Sequence, residues 1–263
     1  MSIEISVINS STVLTDNEVS RVVPVLQKQV TQDFYPAWGV DAHLTFVATG
    51  DDPAPGSWWL TILDDSDQAN ALGYHDITNE GLPLGKVFAA SDMKFGSSWT
   101  VTASHELLEM LGDPDINLTA LVQTSDTAGT LYAYEVCDAC EADHYGYKID
   151  GVDVSDFVFP AWFESFRKSH STQFDRKKHI HKPFHLLAGG YIGVFDVGAG
   201  SGWHSIMAEK ELASVFSRGT VGSRRERRRV LRKNWVESST HTEIRRKREE
   251  YRSRISKALG RAA

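Results

Sequence analysis

Between His105 and Asp115 the chain gathers one imidazole and four carboxylates: His105, Glu106, Glu109, Asp113 and Asp115. On a helix, positions i and i+4 share a face, so His105 and Glu109 can address one metal ion. Glu106, one residue along, is placed to reach a water beside that ion without ligating it. Gly112 and Pro114 stop the helix and turn the chain through Asp113 to Asp115. The third ligand comes from one of these two aspartates. Asp113 stands at i+8 and shares the ligand face only if the helix runs on, so it reads as a capping or orienting group behind Asp115. The bland alternative is a surface helix rich in Glu. Against it, Val101, Leu107, Leu108 and Leu111 make the element largely apolar, and buried carboxylates without partners are costly.

The segment resembles the zincin metallopeptidases, specifically the metzincin pattern H-E-x-x-H-x-x-G-x-x-H/D. His105, Glu106, Gly112 and Asp115 fall on four of its five marked positions, and Glu109 replaces the second His. The resemblance implies a metal-dependent peptidase acting on a peptide or protein substrate. Zn²⁺ is then held by His105, Glu109 and Asp115 (or Asp113), with Glu106 as general base. It also implies a peptide-binding edge strand just before the active-site helix, here within residues 72–90. A set with two carboxylates lowers the net charge on zinc and also suits Ca²⁺ or Mn²⁺.

Other clusters carry weaker chemistry. Glu135, Asp138, Glu141 and Asp143 interleave with Cys137 and Cys140; the carboxylates read first as a solvated loop, with Ca²⁺ coordination or an extension of the first site as the sharper alternatives. A lone Cys-x-x-Cys without a second pair reads mainly as small buried core, with zinc or redox chemistry as the sharper alternative. His179, His181 and His185 lie in a basic loop of the kind usually found on the surface, although metal binding is a reading open to them. His75 sits on the proposed edge strand, within reach of the cleft, and reads first as a hydrogen-bonding His.

The elements that must position these groups are legible in the pattern of apolar residues. Ile3, Ile5 and Val7 alternate as a strand, and Thr15-x-x-Glu18 opens a helix carrying Val19, Val22, Val23, Leu26 and Val30. Pro24 should bend that helix or mark an irregular start. Segments 43–48 and 57–63 read as strands joined by a Pro/Gly-rich turn, with weaker strands at 72–77 and 85–90 and the active-site helix from about Ser98. Further on, a strand is expected at 131–136 and a hairpin around Asp150-Gly151 with a type I′ turn. An aromatic stretch at 157–166 should pack on the core, a polar loop covers 167–182, and a Gly-rich strand region spans 189–206. The expected class is α/β (α+β): a zincin-like mixed twisted sheet with an active-site helix and a basic, partly helical C-terminal tail.

Composition sets the outer bounds. The 263 residues are 41% hydrophobic and 24% charged, which suits a folded domain and excludes collagen-like or wholly disordered chains. Residues 218–263 carry 16 Lys and Arg against 5 Asp and Glu, whereas the rest of the chain carries 12 against 30. The boundary is therefore placed there, with a metallopeptidase-like domain at 1–217. The cationic tail is expected to meet nucleic acid or an acidic subunit surface. No signal peptide or membrane span is seen, so a cytoplasmic place, or one inside a macromolecular assembly, is expected. The alternative function is a non-catalytic structural component that keeps the scaffold and a stabilising metal.

Overall fold

A computed structural model describes residues 3–67, 71–78, 81–199 and 202–208; the basic segment 218–263 lies outside the described residues. The architecture is mixed α/β. Strand β1 (Ile3–Asn9) leads to helix α1 (Asp16–Lys28), whose capping box forms as its sequence requires: Thr15 Oγ1 accepts from the Glu18 amide, and the Thr15 amide donates to Glu18. Helix α1 runs through Pro24, passes into a π-helical turn at Gln29–Phe34, and continues as α2 (Tyr35–Trp38). Gly39, at φ +71°, ends it in the left-handed region that glycine tolerates best.

Strands β2 (Ala42–Val47), β3 (Trp58–Leu63), β4 (Gly73–Ile77) and β5 (Pro83–Phe88) complete a five-stranded sheet in the order β2-β1-β3-β5-β4. Its strands are parallel except β4, which pairs antiparallel with β5 and lies at the edge. The strands at 43–48 and 57–63 flank β1 instead of pairing with each other. That follows from their parallel sense, because a short turn can join neighbouring strands only when they run antiparallel. Although β4 is an edge strand, Gly73, Tyr74, His75 and Asp76 are buried.

Helix α3 (Ala89–Phe95) and helix α4 (Trp99–Gly112) follow β5, and α4 packs on β5 and β4. A second, antiparallel sheet has the order β11-β10-β7-β6, from β6 (Thr119–Ser125), β7 (Ala128–Ala133), β10 (Tyr191–Val197) and β11 (Trp203–Met207). The hairpin of β8 (Tyr147–Ile149) and β9 (Val152–Val154) turns on Asp150 and Gly151, at φ +49° and +85°, the positive pair a type I′ turn needs. In the aromatic stretch, Phe157, Trp162 and Phe163 join the main core while Phe166 is exposed. No helix among the described residues is long and apolar enough to cross a membrane.

Candidate metal centre

Helix α4 is held from both sides before it presents its polar stripe. At its start the Ser98 amide donates to Asp143 Oδ2 (2.8 Å), and Thr100 Oγ1 donates to the Asp153 carbonyl (2.6 Å). Midway, Ser104 Oγ donates to Gln29 Oε1 (2.7 Å) and accepts from the Ser155 amide (2.9 Å). Gln29 Nε2 in turn donates to the Ser155 carbonyl (2.9 Å). This chain of bonds ties α4 to the π-helical turn and to the segment after β9, so its rotation about its own axis is set. Serine suits that position because one hydroxyl donates and accepts at once.

Two glycines let the neighbours come close. A Cβ at Gly73 would stand 2.7 Å from Thr102 Cγ2 and 2.8 Å from Glu106 Cγ, so β4 can lie against α4 there only without a side chain. A Cβ at Gly112 would stand 2.9 Å from Val136 Cγ1, so the helix end and the 134–140 segment approach by the same device. Gly112 is thus a close-packing residue as well as the last of the helix.

The outcome is a buried cluster of His75, His105, Glu106, Glu109, Glu135 and Asp138, each no more than 5% exposed. Glu109 joins its two halves. Its Oε1 lies 3.2 Å from His105 Nε2, and its Oε2 lies 3.4 Å from His75 Nδ1. Asp138 Oδ1 stands 3.3 Å from His105 Nε2, yet neither atom makes an aligned hydrogen bond. Glu106 Oε2 is 3.8 Å from His75 Nδ1, and Glu135 Oε2 is 3.8 Å from His75 Nε2. Two sets of ligand atoms converge to within 4.8 Å of one another: His105, Glu109 and Asp138, and His75, Glu109 and Glu135.

Such a donor set fits a metal ion. Buried polar atoms normally find hydrogen-bond partners, and His105 Nε2 and Asp138 Oδ1 instead face each other at 3.3 Å without one. Burial works against protonating His105, but Glu109, Asp138 and Glu106 outweigh it and raise its pKa well above the usual imidazole value. Four carboxylates facing two imidazoles remain net negative even with both rings protonated. A divalent cation, bound with the imidazoles neutral, would offset part of that carboxylate charge and give those two atoms a partner.

Of the residues expected from sequence, His105, Glu106 and Glu109 meet in this cluster. Asp115 does not: it is exposed and belongs to no convergent set. Asp113 is buried but serves the chain reversal, where its Oδ1 accepts from the Asn117 and Leu118 amides (2.9 and 3.1 Å). That capture, with Ile116 at φ +52°, steers the backbone into β6 and leaves Asp115 on the outside of the turn. Asp138, not Asp115, converges with His105 and Glu109. Glu135 also enters the cluster, whereas Asp143 caps α4 and Glu141 is in no convergent set.

His75 comes in through sheet register. It faces Gly85 across the β4–β5 pair, and a Cβ at Gly85 would lie 3.7 Å from Glu106 Cβ, on the α4 side. Cys137 and Cys140 are free, buried thiols. Burial, reinforced by the nearby carboxylates, pushes both well above the ordinary thiol pKa. His179, His181 and His185 do not converge as one set. Comparison with family models, curated proteins and solved structures finds no match for the chain.

Proposed function

We propose that the chain is a zincin-like, metal-dependent peptidase with its ion held by His105, Glu109 and Asp138. The observation that carries this reading is the convergence of those three side chains with Glu106 beside them on the same helix. The antiparallel edge strand β4 against α4 supports it, because an edge backbone can pair with an extended peptide. A bound zinc ion would polarise the scissile carbonyl and acidify an adjacent water. Glu106 then accepts the proton of the attacking water as its oxygen bonds to the carbonyl carbon. It returns that proton to the nitrogen as the C–N bond breaks. His75, 3.8 Å from Glu106 Oε2 and 3.4 Å from Glu109 Oε2, steadies both carboxylates.

A second reading rests on burial. Every member of the cluster is nearly closed off, as in structural sites, whereas catalytic ones keep an open position. On that reading the ion braces a component of a larger assembly, in which 218–263 meets nucleic acid or an acidic neighbour. Zinc-loaded wild type and Glu106→Gln, assayed on a mixed peptide library, separate the two. The peptidase reading expects equal zinc content in both proteins and at least about a 100-fold loss of cleavage in the variant. Wild type that holds zinc and cleaves nothing leaves the structural reading.

A further inference from the structure

We propose a second, separate cation site formed by Asp156, Asp175 and His179, where a divalent ion of the zinc class clamps the irregular segment that follows β9. The ligand atoms of these three residues lie within 4.8 Å of one another. Asp156 and Asp175 are wholly buried, and His179 is partly open to solvent.

The arrangement of lone pairs carries the proposal. Asp156 Oδ1 accepts from the Phe157 amide (2.8 Å) and the Lys177 amide (3.1 Å). Its Oδ2 is buried, makes no hydrogen bond, and faces His179 Nδ1 at 3.7 Å. Asp175 accepts from the His179 amide through Oδ2 (2.8 Å) and from the Ile180 amide through Oδ1 (2.9 Å). Backbone amides thus fix both carboxylates in position, as the surroundings of metal ligands commonly do. One oxygen of Asp156 remains turned toward the other two side chains. Two carboxylates side by side in a buried place repel each other unless something positive stands between them. An imidazole with two carboxylates suits zinc and similar borderline ions better than calcium, which prefers oxygen alone.

The location gives the ion a task. From Glu164 to Gly190 the chain contains no helix or strand, and His170, Lys178 and Phe184 take positive φ. Beyond short-range turns, this stretch is held by the bridge between Val158 and Asp175, by the Arg176–Asp33 ion pair (2.9 Å), by the Leu187 amide donating to the Ala139 carbonyl and Trp162 Nε1 donating to the His185 carbonyl, and by buried side chains such as Phe174 and Ile180. An ion on Asp156 and Asp175 would lock its middle to the end of the β8–β9 hairpin. This site shares no residue with the α4 cluster, so the proposal stands apart from the peptidase reading.

Chelated full-length protein titrated with Zn²⁺ tests it, with zinc stoichiometry and tryptic cleavage of 164–190 as readouts. His179 is partly exposed, so His179→Ala should fold. It is expected to bind one zinc equivalent at least about 10-fold more weakly than wild type and to lose zinc protection of that segment. Asp156→Asn should do the same. Glu109→Gln, which disables the α4 cluster, should keep both the equivalent and the protection. If His179→Ala and Asp156→Asn match wild type in zinc uptake and in protection, the proposal is overturned, and Asp156 and Asp175 share a proton instead.

Discussion

The two faces of β4 handle buried charge in opposite ways. On one face Tyr74 meets Lys86, whose Nζ is fully buried, pairs with Asp67, and donates to Tyr74 Oη at 2.7 Å. Tyr74 Oη in turn donates to Asp67 Oδ2 at 2.9 Å, which closes a ring of one cation, one anion and one hydroxyl. On the other face His75 meets Glu106, Glu109 and Glu135, with His105 and Asp138 beyond. On the first face the Lys86 charge meets its counter-charge in Asp67 within the protein. The second has more negative charge than its imidazoles can offset. Strand alternation puts the two arrangements one residue apart. The difference separates a polar core that satisfies itself from one whose side chains could hold a metal ion.

The largest effect should come from breaking the complete face. Lys86→Met keeps much of the buried volume and removes the cation, leaving Asp67 buried beside an apolar chain. Removing one partner of a buried pair costs about 3–5 kcal/mol. Urea denaturation should show that loss equally with zinc and with chelator, because no ion belongs to this face. A loss that appears only after chelation would join the two faces into one system.

On the incomplete face the order reverses, and the ion decides the result. Glu109→Gln removes the residue common to both convergent sets. At a hundredfold zinc excess over the Kd of the α4 site, that site alone should add about 2.7 kcal/mol to wild type over the chelated protein. The variant should lose that contribution and keep only the separate gain that the Asp156 site supplies. If Glu109→Gln keeps the whole zinc response, the cluster is a hydrogen-bond network rather than a metal centre.

How much of this could be read beforehand depended on how local each signal was. His105, Glu106 and Glu109 were legible because helix spacing is a local property, and Ser98 and Gly112 bracketed the helix as expected. The β8–β9 hairpin was equally clear, since Asp150-Gly151 encodes its own turn. The partners of the site were not local. His75 arrives through its register with Gly85, and Asp138 through a close approach that Gly112 permits. Asp115 was favoured by a pattern that counts residues after the helix, but the Asp113 side chain captures two amides and spends that count on a turn. Strand β6 went unread because its residues are half-buried to exposed and leave little apolar alternation. Helix α3 was missed because it is 7 residues long and has no side-chain cap at its start.

Asp92 offers a third way to neutralise a buried carboxylate. It lies on the α4 side of the sheet, where Thr102 Oγ1 donates to its Oδ1 at 2.8 Å while its Oδ2 is buried without a partner. Burial, with Asp143 and Glu106 nearby, pushes its pKa up to about 8 against the restraint of the Thr102 hydrogen bond. In the unfolded chain the group titrates near 3.8. Between these values the folded protein holds a proton that the unfolded chain releases, so raising the pH favours unfolding. Stability should therefore be highest below about pH 4 as far as this group is concerned, fall toward about pH 8, and then level off. The slope for one proton is at most about 1.4 kcal/mol per pH unit. Asp92→Asn keeps the acceptor for Thr102 and cannot titrate. In chelator, urea midpoints at about pH 5 and about pH 7 should fall less in the variant than in wild type. Parallel slopes in the two proteins would show that Asp92 is ionised in the fold and that its charge is met in some other way.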